Sequence, residues 1–468
     1  MAGTGKTTIA YSFSEILERQ ECLGGTFFAS HLQVDTSDAH CIIPTISLQL
    51  AKYLPSFGSR ILDIVKNNPN CSSWRIAKQF RNFMVTPLID ACRENRVVVV
   101  PVIVLDALDE CSDQSLVTEL LDVILGHSRS LPVKFFITSR PEIVVKETFS
   151  HSWDHSNLIL HEVGKEIVKA DIKVYVKACL VGRCNRSNWP SESEVESIVN
   201  MSDTLFIYAA TVCKYITQRG SSSMPRCLSD VVNFGLEATS GLTQPLDVLY
   251  ERILDAAYAS ANKGEKSDIG TVLTVVVYAY NPFSITAISA LMQMPIEHIQ
   301  AALASLHSLI YIPSQDSDLP ISTFHTSFYD FISNQSSSPK HYLDPCASHK
   351  SLAFQCLSLM DKEWSNTVNV SYLLERRHEE ISEYLGYACY SWAFHFTQAD
   401  HSNGSDTLKD FFEKHLLRWM DCLSILGKLE IAMDSLLKLK SWVSDLVIII
   451  YMLLKKRLGT RCLGNESD

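Results

Sequence analysis

Six residues near the start of the chain, Gly3-Thr4-Gly5-Lys6-Thr7-Thr8, have the composition of a loop that holds phosphate groups. Glycines let backbone N–H groups close on an anion at a helix N-terminus, where the helix dipole also favours negative charge. A lysine after such a loop reaches the terminal phosphates, and the next hydroxyl is a ligand for Mg²⁺. The full pattern begins with a further Gly, which would fall one position before Met1. Taken alone, the stretch also reads as a flexible N-terminus, because Gly-Lys-Thr is a common tripeptide.

A second constellation closes the apolar run Val97 to Leu105: Leu105-Asp106-Ala107-Leu108-Asp109-Glu110. An Asp at the carboxyl end of a buried parallel strand sits at the ligand edge of the sheet. There Asp106 can hold a Mg²⁺ that bridges the terminal phosphates, and Asp109 or Glu110 can orient or activate an attacking water. The plainer alternative is an acidic turn that caps a helix. The third constellation is Phe135-Phe136-Ile137-Thr138-Ser139-Arg140-Pro141-Glu142. Arg140 at the same edge could sense or stabilise γ-phosphate charge; in isolation it reads as an exposed strand-end arginine. The succession of loop, Asp strand and Arg strand favours the nucleotide reading for all three.

The elements that must position these residues follow from periodicity. Residues 6–20 carry helical spacing (Ile9, Phe13, Ile16, Leu17). Gly24 to Ala29, Val97 to Leu105 and Val133 to Thr138 read as buried strands; Ile42 to Leu54, Ser73 to Cys92 and Leu116 to Leu125 read as helices. This alternation predicts a doubly wound parallel α/β sheet. Beyond Pro141 nearly everything is helical in period, with short strands at Leu309–Ile312 and Ile321–Phe324 and polar breaks near Cys184–Glu194, Arg219–Pro225, Ser314–Asp318, Asn334–Pro339 and His401–Ser405. Trp392 and His395 read as core. No solenoid or propeller period recurs.

A chain of 468 residues suggests two to four domains. The apolar share of 46% is ample for their cores, and the charged share of 20% argues against widespread disorder. A net charge of −11 disfavours nucleic acid and anionic lipid as partners. The fourteen cysteines include no C-x-x-C pair, which disfavours a zinc site; without a signal peptide they predict reduced thiols in a cytoplasmic protein. The most apolar run, Leu446 to Leu454, falls well short of the ~20 residues of a membrane-spanning helix and reads as a buried helix. Residues Gly459–Asp468 read as an unstructured tail.

As a set, Gly-Thr-Gly-Lys-Thr-Thr, Leu-Asp-Ala-Leu-Asp-Glu and Phe-Ile-Thr-Ser-Arg-Pro-Glu resemble the NACHT domain of the STAND class of signalling NTPases, most closely the NACHT modules of fungal NOD-like receptors. The small Ala107 followed by the acidic pair Asp109-Glu110 carries much of the likeness. Softer similarities continue to about residue 455: Asp171-Ile172 with Tyr175, Leu205 to Thr211, Phe324 to Phe331, and Tyr387 to Trp392.

The resemblance implies a P-loop nucleotide domain (1–160), a helical domain (161–240), a winged helix (241–335), a second helical domain (345–456) and a tail (457–468). It implies ATP/ADP and Mg²⁺ as cofactors. Gly3, Thr4, Gly5, Lys6, Thr7, Thr8 and His325 would bind nucleotide, Thr7 and Asp106 the metal, and Asp109, Glu110 and Arg140 would act on the γ-phosphate. His325 matches the winged-helix histidine that reaches the ADP β-phosphate in a closed state; its alternative is a packed histidine. Leu205–Thr211 matches a segment behind the adenine pocket, with Ser202-Asp203-Thr204 in place of a Gly-rich start. The implied function is a switch with slow P-loop ATPase activity at most, opening and self-associating through its NACHT domain on exchange of ADP for ATP. Effector and sensor domains, usual in such receptors, would mediate contacts with other proteins and are absent from this chain.

The strand that should feed the loop is also missing from the sequence. It is expected between the strands of Asp106 and Arg140, so that its loss would leave both without a ladder of hydrogen bonds. Each buried unpaired group costs about 1–3 kcal/mol, against roughly 5–15 kcal/mol for a whole domain. The competing expectation is therefore a truncated, non-hydrolysing interaction scaffold that folds badly and binds nucleotide poorly.

Overall fold

The computed structural model describes residues 3–31, 34–94, 100–140, 163–184, 186, 188–218, 220–238, 244–313, 319–365, 381–399 and 405–439. The chain divides into two compact units, Met1–Leu249 and Tyr250–Asp468.

The first unit is built on three parallel strands in the order β1 (Leu23–Phe28), β2 (Val102–Asp106), β3 (Lys134–Ile137). The apolar run of β2 is explained by its central place: Ile103, Val104 and Leu105 are all buried. Thr26, Val104 and Phe136 lie opposite one another across the sheet. The side-chain alternation of a strand then sends successive residues to opposite faces. Val104 joins Ala10 and Leu17 of helix α1 (Lys6–Arg19) on one face, with Phe13 against Phe136 at 4.9 Å between ring centroids. Ile103 and Leu105 face the larger cluster formed with Ile46, Leu50, Phe80 and Leu121. Gln49 protects the outer edge of β1: its side-chain oxygen accepts from Thr26 N–H at 2.7 Å, and its amide donates to Thr26 C=O at 2.9 Å.

Direct pairing of β2 with β3 corrects the strand order expected from the sequence. Lys134 to Ile137 take the register of Val102 to Leu105, with no strand between them. The strands that end near Asp106 and Arg140 therefore satisfy each other's backbone, and the destabilisation expected from a gap between them does not arise.

The predicted helix over 42–54 is present as Ile42–Tyr53, and that over 73–92 as a helical stretch of residues 76–94 with a π turn at Arg81–Val85. The helix Pro55–Asn67 was not predicted. Pro55 and Gly58 resemble breakers, but a proline in the first turn loses no intrahelical bond. Gly58 is needed for close packing, since a Cβ there would stand 2.9 Å from the Ala51 carbonyl oxygen. The strand predicted from Val97 begins at Val102; residues 95–99 lie outside the described residues. The unit continues with helices Lys165–Leu180, Glu192–Ser202, Phe206–Thr217 and Met224–Ala238, the second opened by a Ser191/Glu194 capping box.

The second unit has helices Lys263–Tyr278, Ile285–Met292 and Ile296–Ala304, then the antiparallel pair β4 (Ile310–Tyr311) and β5 (Ser322–Thr323) at the predicted places. Helices Thr326–Ile332, Pro345–Ser365, Glu383–Gln398, Ser405–Ile425 and Leu429–Leu439 follow. Trp392 and His395 are fully buried, as expected. The helix predicted at 446–454, the C-terminal tail, and Pro141 and Glu142 lie outside the described residues. Among the described residues no helix is long and apolar enough to cross a membrane, and no disulfide joins the cysteines whose side chains are described.

Candidate functional site

The glycines near the start form a sharp loop into α1. Gly3 has φ 79° and Gly5, the N-cap of α1, φ 90°, both in the region that side chains disfavour. Gly3 also sits against the helix Phe206–Thr217: an added Cβ would meet Ile207 Cγ2 at 2.2 Å, and Ile207 N–H points to the Gly3 carbonyl at 3.4 Å. The segment that was expected behind a base therefore touches the loop. Where a Gly-rich start was missing, Asp203 takes φ 48°. Thr4 is half-buried between the two glycines, and Thr8 is exposed in the first turn of α1.

Asp106 ends β2 with 1% of its surface exposed. The Thr138 and Thr7 hydroxyls both donate to its carboxylate. Burial raises the Asp106 carboxyl above its usual range; the hydrogen bonds from Thr138 and Thr7 oppose this, the charge of Glu110 adds to it, and Lys6 opposes it. Thr138 Oγ1 also accepts from Ala107 N–H at 3.1 Å. Ala107 adopts φ 57°, ψ 43°, which turns the chain sharply into the short 3₁₀ turn Leu108–Glu110. Buried Leu108 anchors that turn and donates its N–H to the Thr138 carbonyl at 3.2 Å. A small residue is therefore needed at 107, and the turn brings the next two carboxylates back towards the loop.

Asp109 is held by Arg140 through both oxygens. The Arg140 backbone N–H donates to Oδ1 at 2.8 Å and its guanidinium Nε to Oδ2 at 3.0 Å, with the Asp109 side chain 5% exposed. Glu110 Oε2 lies 3.2 Å from His31 Nδ1. Burial lowers the Lys6 ammonium from its usual range; the charges of Asp109, Asp106 and Glu110 oppose that fall, and Arg140 reinforces it.

The structure thus brings Lys6, Thr7, Asp106, Asp109, Glu110 and Arg140 into one cluster at the carboxyl ends of the strands. It adds Thr138 and His31, which the sequence did not single out. His325 belongs to the second unit, where it caps the helix Thr326–Ile332: its Nδ1 accepts from Ser327 N–H at 3.0 Å and lies 2.8 Å from Ser327 Oγ.

The donor set fits a magnesium nucleotide. Asp106 and Thr7 offer hard oxygen ligands, and a divalent cation would offset the cost of burying an ionised carboxylate. The glycine loop and Lys6 suit a polyphosphate. Among the described residues no group of three or more His, Cys, Asp and Glu could hold a metal; Mg²⁺ on one or two protein ligands plus phosphates does not call for one.

Residues 1–140 match the family model described as Nephrocystin 3, N-terminal. The match spans the loop, the Asp106 turn and Arg140. It supports kinship with a NACHT-like, NTPase-related region and does not single out a NACHT module. No curated protein matches the chain.

Proposed function

We propose that the chain is an ATP/ADP-binding signalling switch of NACHT/STAND type. The observation that carries this reading is the contact of the Thr7 hydroxyl with the buried Asp106 carboxylate beside Lys6. A buried carboxylate with a hydroxyl and an ammonium around it has little use in a passive core, whereas Mg²⁺ and phosphate oxygens would satisfy all three. Bound Mg²⁺ would neutralise charge on the terminal phosphates. Gly3, Thr4, Gly5 and Thr8 would line the phosphates, and Lys6 would reach the outermost ones.

Slow or vestigial hydrolysis is part of the proposal. Arg140 and Asp109 satisfy each other, so Arg140 would have to leave Asp109 to reach a γ-phosphate. That exchange suits a switch that reads the third phosphate better than it suits a fast enzyme. The proposed division is nucleotide domain 1–160, helical domain 161–240, winged helix 241–335 and second helical domain 345–456; the β4–β5 ribbon supports a wing. His325 would read ADP: because Nδ1 accepts a backbone N–H, the neutral ring carries its proton on Nε2, a donor suited to a phosphate oxygen. Opening would lead to self-association through the nucleotide domain, with effector and sensor domains as the proposed route to other proteins. The lack of disulfides among the described cysteines suits the reducing cytoplasm.

A thermal melt tests the reading. Mg-ADP at a hundredfold excess over its dissociation constant stabilises a binding fold by about 2.7 kcal/mol. The midpoint should rise for this chain and stay put for Lys6→Ala. A flat response in both would sink the proposal.

A further inference from the structure

Two thiols of the first unit meet between packed helices, and only one of them reaches the surface. Cys179, in the last turn of helix Lys165–Leu180, is half-buried; Cys213, on helix Phe206–Thr217, is 2% exposed. The two helices pack directly on each other. Ile172, Val176 and Leu180 of the first and Ala209, Val212 and Ile216 of the second are fully buried, and Tyr175 meets Phe206 edge-on with ring centroids 6.4 Å apart. One turn beyond Tyr175, the Cys179 thiol is in side-chain hydrogen-bond contact with Cys213 and with the Tyr175 hydroxyl. We infer that Cys179 and Cys213 form a peroxide-responsive disulfide that clamps these two helices, with Cys179 meeting the oxidant and Cys213 resolving it.

The two environments divide the roles. Burial pushes the Cys213 thiol well above its usual range; the neighbouring Cys179 adds to this and Arg183 opposes it. Cys213 therefore keeps its proton and is shielded from oxidants, whereas Cys179 is open to a small one. The Cys179 thiolate sulfur attacks one oxygen of hydrogen peroxide. The O–O bond breaks, hydroxide leaves and takes up a proton, and Cys179 becomes a sulfenic acid. Cys213 then gives up its proton and its sulfur attacks that of Cys179, so that the S–O bond breaks and water leaves. The pair loses two electrons and two protons, and the peroxide becomes two waters. Cellular thiols reverse the step, as suits a transient disulfide in a reducing compartment. Other thiols are less well placed. Cys184, the next cysteine along the chain, donates to the Ser221 carbonyl at 3.4 Å. Cys389 and Cys422 also touch, but both are wholly buried, so neither can start the sequence. The clamp holds the helix whose Ile207 rests on Gly3, so oxidation bears on the glycine loop.

The test treats the reduced full chain with hydrogen peroxide, alkylates the remaining thiols after unfolding, and maps crosslinked peptides by mass spectrometry. The expected product is a peptide pair joined through Cys179 and Cys213 and released by dithiothreitol, with Cys389 and Cys422 still alkylated. Cys213→Ala should leave Cys179 as a sulfenic acid that a 1,3-diketone reagent traps. Cys179→Ser should leave Cys213 unoxidised. In the crosslinked chain, amides of residues 206–217 should exchange with solvent at least about threefold more slowly than in the reduced chain, because the clamp restrains local opening. Peroxide treatment that leaves Cys179 and Cys213 unlinked, or joins Cys179 to Cys184 instead, would overturn the inference. So would oxidation of Cys213 in Cys179→Ser, which would remove the division of roles, or unchanged exchange on crosslinking, which would remove the clamp. No step involves nucleotide, so failure here leaves the switch reading standing, and failure of nucleotide binding leaves the disulfide standing.

Discussion

Asp106 is costly to keep ionised where it stands. Its folded-state carboxyl lies above the usual carboxylate range because it is buried. A raised value favours the fold at low pH and loses that contribution as pH rises through it. At neutral pH the charge therefore weakens the nucleotide-free protein. Asp106→Asn should melt at the same or a higher temperature without ligand, yet lose the Mg²⁺-dependent part of ATP affinity, about tenfold or more. Parallel melts and binding titrations with and without Mg²⁺ check both halves; a lower midpoint with Mg²⁺ dependence intact would contradict the role given to Asp106. Ala107 carries the geometry that follows. A β-branched side chain is poorly tolerated at φ 57°, so Ala107→Val should cost about 1–3 kcal/mol by denaturant unfolding, whereas Ala107→Gly should be close to neutral. The residue types here were legible: a glycine loop, an Asp ending a β-branched run and an Arg ending another. Thr138 and His31 were not. They meet Asp106 and Glu110 from 32 and 79 positions away, and a single polar residue just past a strand end carries no periodic signal.

Among the elements, those with long uniform patterns were legible, and those stabilised by a contact elsewhere were not. Helix Pro55–Asn67 looks broken until Gly58 is seen against Ala51. In the second unit, helices Pro345–Ser365 and Glu383–Gln398 share a partly buried polar row that no spacing announces. Tyr280 N–H donates to Tyr387 Oη at 2.9 Å; Tyr387 Oη lies 2.6 Å from His395 Nε2, and His395 Nδ1 lies 2.8 Å from His349 Nδ1. Burial pushes the His349 imidazole down to about 4 and His395 well below its usual range, the neighbouring His349 lowering His395 further. A histidine depressed in the fold contributes stability above its unfolded value, ~6.5, and loses it as pH falls through the folded value. Unfolding measured between pH 7 and 4 should therefore show stability falling below about 6.5, and falling less steeply in His349→Asn. Equal slopes in the two proteins would mean that these imidazoles do not govern the acid response.

At the scale of the whole molecule, helix and strand content was readable but strand order was not, because pairing partners are chosen by non-local packing. The expected intervening strand gave way to direct β2–β3 pairing, and with it went the main physical argument that the first unit would fold badly. The proposed switch also makes a demand on the second unit. If His325 reads the diphosphate state, His325→Ala should weaken ADP binding about tenfold and ATP binding much less, as competition titrations would report. Equal loss for both nucleotides would reduce His325 to its helix-capping role. The central claim is more basic: Lys6, Thr7 and Asp106 form a nucleotide site. Equilibrium binding of fluorescently labelled ADP to the chain, with Lys6→Ala alongside, tests it most directly. Saturable, Mg²⁺-dependent binding that falls at least tenfold in Lys6→Ala is the predicted result. Equal binding by the two proteins, or none by either, would contradict it.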